Sequence, residues 1–172
     1  YLRGSEFALS AEVIPPRNGV EQELILTQIE KLIDNGAEFL SVTKGAGGSL
    51  RGGSLPIVHA IKENFGVPCI AHFTCRDLTP QEVENQLIDH HYFGIRNILA
   101  LRGDPPQGQP DWKPKAGSHE FAFQLIKQIK DLNEGKYLDR ADSPKNKKED
   151  LSSDRTDFCI GSAVYPEHPD EK

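Results

Sequence analysis

Apolar residues fall along this chain in two alternating patterns. Short apolar runs occupy residues 7–13, 37–43, 67–73, 95–101 and 158–163, each the length of a buried β-strand. Between them lie longer stretches in which apolar residues recur at helical spacing. Residues 20–35 carry Val20, Leu24, Ile29, Leu32 and Ile33 on one stripe, and Gly36 follows as a C-terminal stop. Ser54 and Pro56 open a second helix to about residue 65, ended by Gly66. Thr79-Pro80-Gln81-Glu82 joins a capping box to a proline at the first helical position, predicting a third helix that Gly94 stops after about residue 92. A fourth helix spans residues 121–132.

The predicted strands begin at 7, 37, 67, 95 and 158, so the first three steps are 30, 30 and 28 residues, the length of a βαβ unit. Strands alternating with helices give a parallel sheet with helices packed outside it. A doubly wound sheet and a (β/α) barrel both fit. A barrel needs eight strands and ~250 residues. Residues 1–172 would then be one partial domain, about the first five strands and four helices of a (β/α)8 TIM barrel. The inward strand faces, assigned Leu40, Val42, Ile70 and Ile98, would lack an opposite wall. Residues 133–157, rich in Lys, Asp, Ser and Asn, read as a solvated insertion.

Composition narrows the function. With 27% charged and 37% hydrophobic residues the chain reads as soluble and globular, and no apolar run is long enough to span a membrane. A net charge of -6 argues against a nucleic-acid groove, which needs a basic face. Cys69, Cys75 and Cys159 are too few and too scattered for a disulfide framework or a paired zinc motif, so no metal is expected. No signal peptide opens the chain, which makes a reducing cytoplasm the default. Methionine is absent, even at position 1, so Tyr1 reads as something other than the natural start.

The candidate chemistry sits at strand exits. Asn97 to Pro106 is an apolar strand running into Arg102, Gly103 and Asp104, with Pro105 and Pro106 forbidding an immediate helix. Glu12, Thr43 and His72 leave strands one to three, and Tyr165 follows strand five. In a parallel sheet these exits share one face, where α/β enzymes keep their active sites. Each residue has a plainer explanation. Glu12 could be solvated or ion-paired, Thr43 could bond its turn, His72 could be a satisfied core histidine, and Asp104 could hold Arg102 or cap its loop. Five such coincidences on one face are harder to accept. The glycine-rich loop at residues 45–54 fits neither a P-loop nor a Rossmann fingerprint, and is either a close approach to a ligand or simply flexible. His90 and His91 read as helix-surface residues.

These residues carry a resemblance. Ala11-Glu12-Val13-Ile14-Pro15-Pro16, Ser41-Val42-Thr43-Lys44-Gly45-Ala46-Gly47-Gly48-Ser49, Ala71-His72-Phe73-Thr74-Cys75, residues 94–106 and Tyr165-Pro166-Glu167-His168-Pro169 stand in the order and spacing of the methylenetetrahydrofolate reductase family. The chain resembles that family across nearly its whole length. The resemblance implies a (β/α)8 barrel holding FAD at its C-terminal face. It also implies a cytoplasmic oxidoreductase of one-carbon metabolism and methionine biosynthesis, homo-oligomeric when full length. NADH or NADPH would reduce the flavin, which would pass a hydride to 5,10-methylenetetrahydrofolate to give 5-methyltetrahydrofolate. Glu12 matches the family's general acid, a role that asks for a buried, protonated carboxyl. Asp104 matches the carboxylate that stabilises a cationic iminium. Thr43, His72, Leu101, Arg102, Gly103, Asp104, Phe121, Ala122, Ala163, Tyr165 and His168 fall on flavin positions, and Glu12, Thr43 and Asp104 on folate positions.

The chain departs from the family pattern in places. Val13-Ile14 stand where aromatics are common, Lys44 and Phe121 replace common tyrosines, and one residue is missing between Glu167 and His168. The insertion, aligned at residues 135–154, lies away from the chemistry. In the family a second half supplies a folate-binding Gln and Phe and much of the adenosine site. Two other classes stay open. Arg102-Gly103-Asp104 is an integrin-type tripeptide, suggesting an interaction module, though nothing else speaks for secretion. A Schiff-base aldolase or lyase could use Lys44 as its amine.

Overall fold

In a computed structural model the described residues are 7–16, 19–48, 52–109, 111–139 and 154–164. They form strands β1 (Ser10–Val13), β2 (Phe39–Val42), β3 (Cys69–Thr74), β4 (Asn97–Leu101) and β5 (Cys159–Ser162). The helices are α1 (Gln22–Asp34), α2 (Ser54–Ala60), α3 (Pro80–Tyr92) and α4 (Ala122–Asn133). The five strands pair in sequence order, every pair parallel. This is the α/β arrangement of a partial (β/α) barrel. Each strand is shorter than its apolar run, and flanking residues such as Ala37 and Ile95 are buried although they lie outside the ladder.

Local chemistry sets the helix ends. At α3 the Thr79 amide donates to Glu82 Oε2 at 2.7 Å and the Glu82 amide donates back to Thr79 Oγ1 at 3.3 Å, the expected capping box. At α4, Gln124 Oε1 accepts from the amides of Glu120 and Phe121. The second helix is not uniform: α2 passes into a π turn at Ile61–Phe65 before Gly66.

The core lies between sheet and helices. Leu40 and Val42 of β2, Ala71 and Phe73 of β3, and Ile98 and Ala100 of β4 are buried against Ile57, Ile61, Val83, Leu87, Leu125 and Ile129. This corrects the expected facing of three residues. Side chains alternate across a strand, and Leu40, Val42 and Ile98 point to the helices; only Ile70 of that group lies on the other face. The inner face is instead Glu12, Ser41, Ile70, His72, Thr74, Leu99 and Leu101, more polar and half-open.

The flanks of the expected insertion also belong to the fold. Asn133 closes α4, accepts from Thr156 Oγ1 at 2.6 Å and from the Phe158 amide at 2.9 Å, and donates to the Phe158 carbonyl at 2.9 Å. The buried Glu84 of α3 accepts the Leu138 amide at 2.9 Å. Residues 140–153 lie outside the described residues.

Candidate functional site

The strands all end on one side, and there they enclose a cleft of about 690 Å³. Its walls contain Glu12, Thr43, His72, Leu101, Arg102, Gly103, Asp104, Phe121, Ala122 and Ala163. These are all the site residues named from sequence that are described; Tyr165 and His168 lie outside the described residues. Lys44, Gly45, Ala46, Thr74, Ala100 and Ser162 complete the lining. Thr74 was legible as the residue two beyond His72 on the same strand face, and Gly45-Ala46 as the start of the glycine-rich loop.

Glu12 and His72 reach the cleft from β1 and β3. Glu12 Oε2 lies 3.7 Å from His72 Nε2. Burial pushes the His72 imidazole below its usual pKa, and the Glu12 charge opposes that more weakly. His72 is therefore neutral at pH 7. The Glu12 side chain is 57% exposed, so the burial expected of its carboxyl is not supplied by the described residues. Glu12 sits on β1, which pairs only with β2 among the described residues, and little packs over it.

Asp104 does not pair with Arg102. Its Oδ2 accepts the Gly47 amide at 3.0 Å, and its carbonyl accepts from Arg76 Nη1. Arg102 donates from Nε to the Gly103 carbonyl at 3.3 Å. Gly103 lies at φ +93°, where a Cβ would sit 2.9 Å from Arg76 Cβ and 3.2 Å from Thr74 Cβ. Only glycine lets this loop lie on the end of β3. Cys75 fixes the same loop, its amide donating to Leu101 O at 3.2 Å and its thiol lying 3.7 Å from Arg102 O. Burial pushes that thiol up to about 11, so it stays protonated. Arg76 was not marked by its sequence position; its importance comes from a tertiary contact.

Lys44 lines the cleft, but its amine points elsewhere. Nζ donates to Gln86 Oε1 on α3 at 2.7 Å and stands 4.2 Å from the centre of the Phe73 ring. Both partners belong to the layer between β3 and α3. Burial lowers the Lys44 pKa to about 8. His90, expected at the surface, is buried in the same layer, with Nδ1 2.6 Å from the Gln86 carbonyl and its ring edge-on to Phe73. The stripe on α3 that includes Val83 and Leu87 carries His90 inward with it. Burial lowers its pKa as well.

The described residues contain no group of three or more His, Cys, Asp or Glu placed to hold a metal ion, and no helix long and apolar enough to cross a membrane. All three cysteines are free.

Comparison with known proteins agrees over the full sequence. The profile of the family described as methylenetetrahydrofolate reductase matches residues 1–172. The 5,10-methylenetetrahydrofolate reductase of Escherichia coli (strain K12) is 32% identical over 165 residues, covering 95% of this chain and 46% of that protein. Methylenetetrahydrofolate reductase 2 of Schizosaccharomyces pombe is 32% identical over 159 residues, covering 92% of this chain and 22% of that protein. Methylenetetrahydrofolate reductase (NADH) 1 of Zea mays is 30% identical over 164 residues, covering 95% of this chain and 24% of that protein. The chain thus spans between about a fifth and a half of the length of these relatives. It belongs to the methylenetetrahydrofolate reductase family.

Proposed function

We propose that the protein carrying this chain reduces 5,10-methylenetetrahydrofolate to 5-methyltetrahydrofolate at the expense of NADH or NADPH, through FAD held in the cleft. The observation that carries this is the convergence of Glu12, from β1, and Asp104, from the loop after β4, on one cleft with Thr43 and His72 between them. Two carboxylates on a half-apolar pocket suit a reaction that needs one proton donor and one fixed negative charge.

The residues present fit a flavin. The cleft volume lies within the range of ligand pockets, about 300–1,000 Å³. Leu101, Ala122 and Ala163 offer an apolar bed for a ring, while Thr43 and His72 offer hydrogen bonds to its polar edge. Gly103 leaves room where a side chain would intrude, and the exposed Arg102 guanidinium would meet the cofactor's phosphates. Bound there, FAD supplies the hydride relay between nicotinamide and folate.

The chain's own residues do the rest. Glu12 would donate its proton to the folate nitrogen that leaves as the five-membered ring opens. A ligand ring covering this half-exposed carboxyl would favour the protonated form by excluding water. Neutral His72, 3.7 Å away, places no positive charge beside Glu12 that would favour its ionised form. Asp104, its carboxylate fixed by the Gly47 amide, would stabilise the positive charge of the folate iminium. A Schiff-base aldolase is less well supported, because the Lys44 amine faces Gln86 and Phe73 and not the cleft. An integrin-type tripeptide is less well supported too, because Arg102 and Asp104 line a cleft and Gly103 is packed on Thr74.

The test is direct. Full-length protein is purified, reconstituted with FAD and assayed anaerobically with NADH or NADPH and methylenetetrahydrofolate. We expect a flavin absorbance band and formation of 5-methyltetrahydrofolate; a protein that binds FAD but leaves the folate unreduced with both nucleotides would overturn the proposal.

A further inference from the structure

Building on the reductase function proposed above, we propose that Lys44 is a positioning residue that holds the Asp104 carboxylate in place through the glycine-rich loop. Lys44 leaves β2 at the cleft but sends its amine through to α3, where Gln86 Oε1 accepts it at 2.7 Å and the Phe73 ring lies beneath it. Three residues later, in the turn at Ala46–Gly48 where Gly47 stands at φ +63°, the Gly47 amide donates to Asp104 Oδ2 at 3.0 Å. The loop is thus held at Lys44 to a helix and at Gly47 to the proposed catalytic carboxylate, with only Gly45 and Ala46 between.

The anchoring end is firm. Phe73 is fully buried, and α3 is fixed by the Thr79–Glu82 capping box and by Gln128 Nε2, which donates to the Pro80 carbonyl at 2.7 Å. The other end is not. Gly47 and Asp104 are both exposed, and an exposed hydrogen bond between two loops holds its geometry only if one loop is tethered elsewhere. Arg76 fixes the Asp104 backbone through its carbonyl, which leaves the carboxylate's direction to the Gly47 amide. A tyrosine at position 44 has no amine with which to make this tether.

The test is a pair of measurements on the full-length, FAD-loaded protein carrying Lys44→Met, Lys44→Arg, Asp104→Asn, or Lys44→Met with Asp104→Asn. Amide hydrogen exchange at residues 45–48 reads the tether without reference to activity. Lys44→Met is expected to speed it about five-fold, the loss of roughly one hydrogen bond, and Lys44→Arg to restore most of the protection. Unchanged exchange overturns the proposal. The rate of the folate half-reaction reads the consequence. Lys44→Met is expected to slow it about five-fold when Asp104 is present and not at all in the Asp104→Asn background. Equal slowing in both backgrounds would show that Lys44 acts on general stability and overturn the proposal. If the unaltered protein reduces no folate, the function proposed above falls, while the exchange measurement still decides the tether.

Discussion

Replacing Gly103 with alanine tests the geometry of the site at a single atom. Gly103 joins Arg102 to Asp104 at φ +93°, a backbone that costs an L-residue about 1–2 kcal/mol. The added Cβ would also lie 2.9 Å from Arg76 Cβ and 3.2 Å from Thr74 Cβ. Neither is the free end of a flexible chain, so the loop must lift off β3, and overpacking of this kind costs about 1–3 kcal/mol. The total is roughly 2–5 kcal/mol, a large part of a stability of ~5–15 kcal/mol. Gly108, a few residues on in the same connection, provides the control. It has φ +80° and nothing within 4 Å of its Cβ position, so Gly108→Ala carries only the backbone cost, about 1–2 kcal/mol. Urea unfolding of the two full-length variants should therefore place Gly103→Ala about 1–3 kcal/mol below Gly108→Ala. Flavin content after purification should fall for Gly103→Ala alone, because lifting the loop moves Arg102 and Asp104. Equal midpoints with full flavin in both variants would refute the packing of this loop against Arg76 and Thr74.

Other consequences are open to measurement. Asp104→Asn removes a negative charge from the cleft at nearly constant volume; it should raise the midpoint potential of bound flavin and slow folate reduction, and an unchanged potential would place Asp104 too far from the ring. His72 and His90 bind protons less readily folded than unfolded, so stability should fall as pH drops below the unfolded value of about 6.5, and His90→Phe should flatten that slope; a slope unchanged by His90→Phe would contradict the burial of this ring. Lys44 has a folded pKa of about 8, so the unfolded chain holds its proton longer, and stability should rise from about pH 8 towards 10.5, a rise that Lys44→Met removes. Residues 1–172 expressed alone should self-associate and lack tight FAD, because β1 and β5 each have one unpaired edge among the described residues and the half-open inner face carries Ile70, Leu99 and Leu101; a monodisperse yellow monomer would contradict this.

The βαβ rhythm was legible because apolar runs and helical stripes repeat at about thirty residues, and because proline, glycine and the Thr79 box mark helix ends. The face of each strand was less legible. In β2 the sequence Phe39-Leu40-Ser41-Val42 has an apolar residue on each side and does not announce which side meets the helices; Glu12 and His72, read as cleft residues, fix the inner face only once the register is known. His90 was misplaced because a histidine pair on a helix looks solvated, although its spacing from Val83 and Leu87 put it on the buried stripe. The cleft residues were legible as strand exits, but the ties that place them were not. Arg76 to the Asp104 carbonyl, Gly47 to the Asp104 carboxylate and Lys44 to Gln86 join residues 28, 57 and 42 positions apart, and such contacts leave no local signal.

The central claim, that Glu12 serves folate reduction in a flavin cleft, is tested most directly by anaerobic stopped-flow of the full-length Glu12→Gln variant, following flavin absorbance in each half-reaction. Glutamine keeps the shape of the side chain and removes the proton. Reduction of the flavin by the nicotinamide should proceed at a near-normal rate, while its reoxidation by methylenetetrahydrofolate should slow by ~10²-fold or more. Equal losses in both half-reactions, or none in either, would contradict the account.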